Sequence, residues 1–396
     1  MESQRRLVAL VTHPIQYFKP IFQGLAADPA VALLVVYGCD HGLQASADPD
    51  FGVSFAWDSN PIEGFVSSFA SHQPLQALSE PSSAWMIAKA AVQRIRTFKP
   101  DAILVFSYSP RFIQFATLLL SLQGQRLWLR AETTDHALQR SRTKRLARDL
   151  VLRSWYRMFA HVFPIGSHSQ RHYTRLGVPT SRQSLARYAV DVDFFANQIS
   201  QWKPQRDQLR ADLPIPADAH VLLYVGKISP VKNPLLIPAA LQQLKDAPAL
   251  RSLILVVVGD GELRSQLEVE LEQVISGQWR GMGFQNQQQL GRFYALADTL
   301  VLPSKQGETW GLVVNEAQQF GLNVICSDAV GSAEDLVAPS LRGRVHRSND
   351  AADFARVIQE LVAFPAQDPD SSELAQALPH PRQLVQAITQ QLSLLP

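Results

Sequence analysis

Four charged residues in the second half of the chain are of a type and spacing that could do chemistry. Glu308 and Glu316 stand eight positions apart in "KQGETWGLVVNEAQQFG", and Lys227 and Lys232 follow the strand-like run "VLLYVG". A glycine at a strand end, here Gly226, lets backbone approach a ligand closely, and two lysines beside it offer charge to a diphosphate. Glu316 shares a helical face with Leu312, Val313 and Phe320, because residues three and four apart are neighbours on a helix. A carboxylate among such neighbours is costly without hydrogen-bond donors, and ligand hydroxyls are donors. Glu308 precedes the predicted helix, where Thr309, Trp310, Gly311 and Leu312 present backbone N–H groups of the kind that hold phosphate. Were the span helical throughout, the two carboxylates would lie about 12 Å apart, longer than one sugar ring.

The elements that must position these groups alternate between short β-branched runs and longer helical patterns, the signature of parallel α/β architecture. The predicted strands are 7–12, 31–38, 102–107, 126–130 and 161–165, then 221–226, 253–259, 299–304 and 323–328. Between the two sets lies a polar, proline-punctuated stretch. It places a domain junction near residue 198, dividing a first Rossmann-like domain (1–198) from a second (199–379). A last helix, about 380–396, is expected to return to the first domain. Two doubly wound domains facing each other leave a cleft at their strand C-termini, where such folds bind ligands.

Composition limits the alternatives. The chain has 396 residues, 46% hydrophobic and 18% charged, which suits two soluble domains. No apolar run approaches the roughly 18 residues of a membrane span. The opening "MESQRRLVALVTHP" reads as a first strand rather than a signal peptide. Cys39 and Cys326 lie far apart, with neither metal-ligand nor disulfide spacing, so a reducing cytoplasmic setting is expected. "VVVGDGELRSQL" lacks the G-x-G-x-x-G spacing of a nicotinamide-binding turn. No Asp-x-Asp pair sits beside a strand end, and "DVD" at 191–193 falls at the junction, so no metal is expected. Charge is uneven, +7 over residues 1–200 and −5 over the rest, as if the halves met different partners.

Glu308-x7-Glu316, with Lys227 and Lys232 after the strand glycine, resembles the retaining glycosyltransferases of family 4, of GT-B fold. The resemblance extends over nearly the whole chain, through "SHSQRHYTRLGVP", "YAVDVDFF" and "ICSDAVGSAEDLV". It implies that Glu308 contacts hydroxyls of the transferred sugar and Glu316 the ribose, while Lys227 and Lys232 neutralise the diphosphate. Lys227 stands where arginine is common, keeping charge but losing bidentate geometry. Backbone at Met282, Gly283 and Phe284 is implied to grip the base. The implied reaction moves a sugar from a nucleoside-diphosphate donor to a hydroxyl acceptor, a glycan, lipid-linked sugar or small molecule, with retention. A GT-B epimerase or hydrolase, or a donor-binding protein without transfer activity, are the other readings.

The first domain departs from that family. "THPIQYFKP" has no glycine after its strand, so His13 occupies the cleft mouth, either as a contact to phosphate or acceptor or as a satisfied loop histidine. Where relatives carry a histidine after the fourth strand, "LRAETTDHAL" offers Glu132, Asp135 and His136, with Glu132 or Asp135 expected to touch donor or acceptor. Finally, Arg140 to Arg157 holds seven basic residues against one acidic, Asp149. Leu150, Val151, Trp155, Met158 and Phe159 are spaced for one helical face. Such a helix either lies on an anionic membrane, through about 140–162, or packs that face in the core. Nucleic acid is not expected, since no aromatics interleave with the charges.

Overall fold

The computed structural model describes residues 4–43, 46–47, 54–55, 60–135, 142–247, 251–363 and 378–396. Two six-stranded parallel sheets carry the architecture. The first comprises β1 (Arg5–Val11), β2 (Val31–Tyr37), β3 (Ser67–Phe69), β4 (Ala102–Phe106), β5 (Leu127–Arg130) and β6 (Phe159–Val162), in spatial order β3-β2-β1-β4-β5-β6. The second comprises β7 (His220–Val225), β8 (Leu253–Val258), β9 (Trp279–Gly281), β10 (Thr299–Leu302), β11 (Asn323–Ser327) and β12 (Gly343–His346), in the equivalent order β9-β8-β7-β10-β11-β12. Both orders reverse beside the first strand of their sheet, the switch point where doubly wound folds open a crevice. Every predicted strand is present, and three edge strands are added.

Central strands are buried on both faces, as parallel sheets require, which is why "LVALV", "AILVF" and "LILVVV" are continuous apolar runs. Three helices cover one face of the first sheet: α2 (Pro81–Phe98), α3 (Arg111–Leu122) and α4 (Arg142–Tyr156). On the other face lie α1 (Lys19–Ala27) and the last helix, Pro381–Ser393. That helix packs so closely that a Cβ on Gly24 would come within 2.9 Å of Val385. Arg5 adds hydrogen bonds to the carbonyls of Leu395 and Pro396, at 2.6 and 2.9 Å.

The expected apolar face of the basic segment is corrected. In α4 the buried positions are Asp149, Leu152 and Tyr156, whereas Leu150 and Val151 are 70% and 67% exposed. Phe159 belongs to β6 and Met158 to the turn before it. The buried stripe thus differs from the one that apolar spacing suggests, and its Asp149 is paired with Arg175. Arg140 lies outside the described residues. Among the described residues no helix is long and apolar enough to cross a membrane.

Candidate active site

Glu316 sits in the helix Leu312–Gln319 and is 1% exposed. Both its oxygens are met by phenols. Tyr294, from the neighbouring helix Gln287–Leu296, donates to Oε2 at 2.6 Å, and Tyr17 donates to Oε1 at 3.1 Å from the loop after β1. Burial raises the Glu316 pKa, opposed by these two hydrogen bonds, Tyr294 first. The carboxylate forms part of the wall of a cavity of about 200 Å³ at the ends of β7 and β8, together with Gly226, Gly259, Phe284, Val313 and Tyr17.

Two glycines keep the cavity floor open. Gly226 and Gly259 end adjacent strands with φ of +154° and +147°, a region that penalises side chains. A Cβ on Gly259 would fall 1.9 Å from the Gly226 carbonyl oxygen. Phe284 lines the cavity, but Met282 and Gly283 are engaged with β8: the Met282 N–H bonds Val257 and the Gly283 carbonyl accepts from Gly259. Of the three residues expected to grip a base, Phe284 lines this cavity, followed by Gln285 and Asn286.

Glu308 is not on the helix with Glu316. The helix starts at Leu312, after Gly311 at φ +89°, and Glu308 lies in the preceding loop. Its carboxylate accepts from Lys232 Nζ and, at 3.1 Å, from Ser304 Oγ, so two residues expected to serve sugar and diphosphate meet directly. Lys227 follows Gly226, and its carbonyl accepts the Tyr224 hydroxyl at 2.8 Å. Trp310 is 2% exposed, its indole N–H bonded to Asn315 at 2.8 Å, and its ring would be 2.2 Å from a Cβ on Gly166. Its side chain therefore packs against Gly166 of the first domain.

Thr309 reaches the first domain, its hydroxyl donating to Glu132 at 3.0 Å. Glu132, Thr309, His13, Tyr108 and Arg130 line a second cavity of about 680 Å³, above the ends of β1, β4 and β5. His13 lies beside His41, ring centroids 5.5 Å apart, and is pushed down to about 4 by burial and then by that neighbour. It is neutral near pH 7, a hydrogen-bonding group rather than a cation. Arg130 is a buried guanidinium, bonded to the Ala186 carbonyl at 2.9 Å and set over the Tyr188 ring.

Asp135, expected beside donor or acceptor, is corrected. It joins Arg175 at 2.7 Å and Arg148 at 3.3 Å, and lies 2.9 Å from Nδ1 of the buried His172. Burial raises its pKa, but His172 and Arg175 hold it well below the usual carboxylate range. Asp135 ties α4 to the helix Ser167–Arg175 and lines neither cavity. His136 lies outside the described residues.

A clasp joins the domains behind the cleft. Asp335, whose side chain is fully buried, accepts from Ser167 N–H, Ser167 Oγ and Arg187 Nε, each at 2.8 Å. Arg171 adds a bond to Glu334 at 2.7 Å. Ser167, Arg171, Glu334 and Asp335 lie in stretches that carry the family resemblance, whereas Arg187 does not. Nothing local signals Tyr17 or Tyr294 as a partner of Glu316: Tyr17 and Glu316 are 299 positions apart.

Residues 205–376 match the family described as Glycosyl transferases group 1. A D-inositol 3-phosphate glycosyltransferase of Streptosporangium roseum is 37% identical over 165 residues, 40% of this chain and 38% of that protein. One of the same name from Geodermatophilus obscurus is 34% identical over 200 residues, 48% and 42% of the two chains. The matched stretch thus spans about two fifths of those relatives' length. Among solved structures, a glycosyltransferase from Rickettsia africae is similar at TM-score 0.72 and 12% identity over 98% of both chains. Anabaena Alr3699/HepE in complex with UDP and glucose is similar at TM-score 0.69 and 16% identity, over 99% of this chain and 100% of that one. The chain has the two-domain GT-B fold, and its residues 205–376 match the Glycosyl transferases group 1 family.

Proposed function

We propose that this protein is a glycosyltransferase that moves a sugar from a nucleoside-diphosphate donor to a hydroxyl acceptor, with retention and without a metal ion, in the synthesis of a glycan or glycolipid. The observation that carries this reading is Glu316, a buried carboxylate whose two oxygens are both spent on hydroxyl donors at the wall of a cavity floored by strand-end glycines. Ribose hydroxyls are the ligand groups that such a carboxylate would take. Departure of the diphosphate builds negative charge on its oxygens. Lys232, held beforehand by Glu308, and Lys227, two residues past the β7 end, would stabilise that charge electrostatically. Glu308, already on Lys232 and Ser304, would turn to the sugar hydroxyls as Lys232 turns to phosphate. The acceptor hydroxyl would enter from the second cavity, past His13, Glu132 and Arg130.

A panel of nucleotide sugars, read by released nucleoside diphosphate, tests this. The wild type should turn over one donor, and Glu316→Gln and Lys232→Ala should each lose at least about 100-fold in kcat/KM. Turnover of no donor, or variants indistinguishable from wild type, would discard the enzymatic reading. The anomeric configuration of the first-formed product, read by NMR, decides retention.

A further inference from the structure

The outer face of the α2–α3–α4 layer is unlike the rest of the surface. Of twelve exposed large hydrophobic side chains among the described residues, seven lie on these three helices: Trp85 and Met86 on α2, Leu118 and Leu122 on α3, and Leu146, Leu150 and Val151 on α4. The helices lie side by side, since their opposite faces share one core against the first sheet, and Trp85 meets the Phe115 ring at 5.4 Å across the α2–α3 seam. Soluble monomers rarely gather exposed apolar groups in this way without a partner.

Charge on these helices runs one way. The three helices contain nine Lys and Arg and a single carboxylate, Asp149, which is buried and paired with Arg175. Lys144, Arg145 and Arg153 flank Leu146 and Leu150 on exposed positions of α4. A groove between α3 and α4, lined by Gln114, Val151, Leu152 and Trp155, ends at Tyr108, which also lines the cavity holding His13 and Glu132. The face therefore adjoins the acceptor side of the cleft.

We propose that this face docks the protein on a lipid bilayer bearing anionic headgroups, with Leu146, Leu150 and Val151 entering the acyl boundary and the basic residues meeting phosphate. An amphipathic helix with such a polar flank takes that position, and the attraction is electrostatic as well as apolar. A second copy of the chain is a poorer occupant, because apposing two such faces sets like charges against each other. Docked in this way, the groove at Tyr108 presents the acceptor cavity to amphiphiles held in the membrane.

Co-sedimentation of the full chain with vesicles tests this, using phosphatidylcholine alone and phosphatidylcholine mixed with phosphatidylglycerol. Wild type should pellet with the mixed vesicles and stay soluble with the neutral ones. Two double variants, Leu150→Glu with Val151→Glu and Lys144→Glu with Arg145→Glu, should each bind at least about tenfold more weakly. Their thermal midpoints should match wild type, because all four side chains are exposed. The proposal is overturned if wild type does not pellet, or if both variants pellet as wild type does. It is equally overturned if the Leu150 and Val151 variant alone keeps full binding, which would mark simple charge attraction. A concentration-dependent dimer that the same variant abolishes, without vesicle binding, would assign the face to self-association.

Discussion

The Tyr17 hydroxyl donates to Oε1 of Glu316 at 3.1 Å and so bridges the two domains at the cavity proposed for the donor. The bond supplies one of the two donors that a buried carboxylate needs. A ribose hydroxyl arriving at Oε1 would compete with it. Tyr17→Phe should lower stability by about 1–3 kcal/mol, the cost of leaving a buried acceptor half satisfied. Nucleoside diphosphate should recover that loss, so ligand binding should raise the thermal midpoint more in the variant than in wild type. A smaller ligand-induced rise in Tyr17→Phe would show instead that the hydroxyl itself contacts the nucleotide.

Lys232 and Glu308 should behave as a unit. In the structure each satisfies the other, Ser304 sharing the load on Glu308. Lys232→Ala and Glu308→Gln should each cost about 100-fold or more in kcat/KM, and the double variant little beyond the worse single one. Steady-state kinetics on a double-mutant cycle reads this directly. Simple addition of the two losses would mean that the residues act on separate parts of the reaction.

Gly331 holds the Glu308 loop through space rather than through conformation. Its N–H bonds the Glu308 carbonyl at 3.1 Å, and the next N–H, that of Ser332, bonds the Trp310 carbonyl at 3.0 Å. A Cβ at Gly331 would lie 1.9 Å from the Thr309 carbonyl oxygen. Gly331→Ala must therefore push back the segment carrying Glu308 and Thr309. Destabilisation of about 1–3 kcal/mol in urea unfolding is expected, with donor turnover falling further than the lost folded fraction explains. Unchanged turnover would show that the loop tolerates the displacement.

These relationships divide by how far apart their partners lie in the chain. Eight central strands were legible because burial on both faces forces continuous apolar runs, and the edge strand Phe159–Val162 was legible from the apolar run at its end. The other three edge strands, "SSF", "WRG" and "GRVH", escaped notice because neighbouring pairing rather than composition makes them strands. Glu316 was legible as a carboxylate on an apolar face, and Gly226 as a strand-end glycine. The partners of Glu316 were not, since neither phenol is near it in sequence. Asp135 shows the opposite error: proximity to a strand end suggested a ligand contact, while Arg175, forty positions on, claims it. In α4 an inward aspartate, Asp149 paired with Arg175, occupies the buried face, which apolar spacing alone does not register.

Acid should destabilise the fold through two histidines, His161 buried and His13 half-buried. His13 is pushed down to about 4 by burial and then by His41, and His161 also to about 4 by burial and then by Arg182. In the unfolded chain both take a proton near pH 6.5. Between that pH and about 4 the unfolded state binds more protons, so stability rises with pH and is lost as acid is added. The slope is at most about 1.4 kcal/mol per pH unit for each histidine. Urea midpoints at about pH 7 and pH 5 should converge partly in His161→Asn and partly in His13→Asn. His161, bonded to Ser184 at 2.9 Å and absent from both cavities, should change stability alone. His13→Asn should also alter turnover, because His13 lines the cavity proposed for the acceptor. Equal pH slopes in wild type and both variants would place the acid sensitivity on other groups.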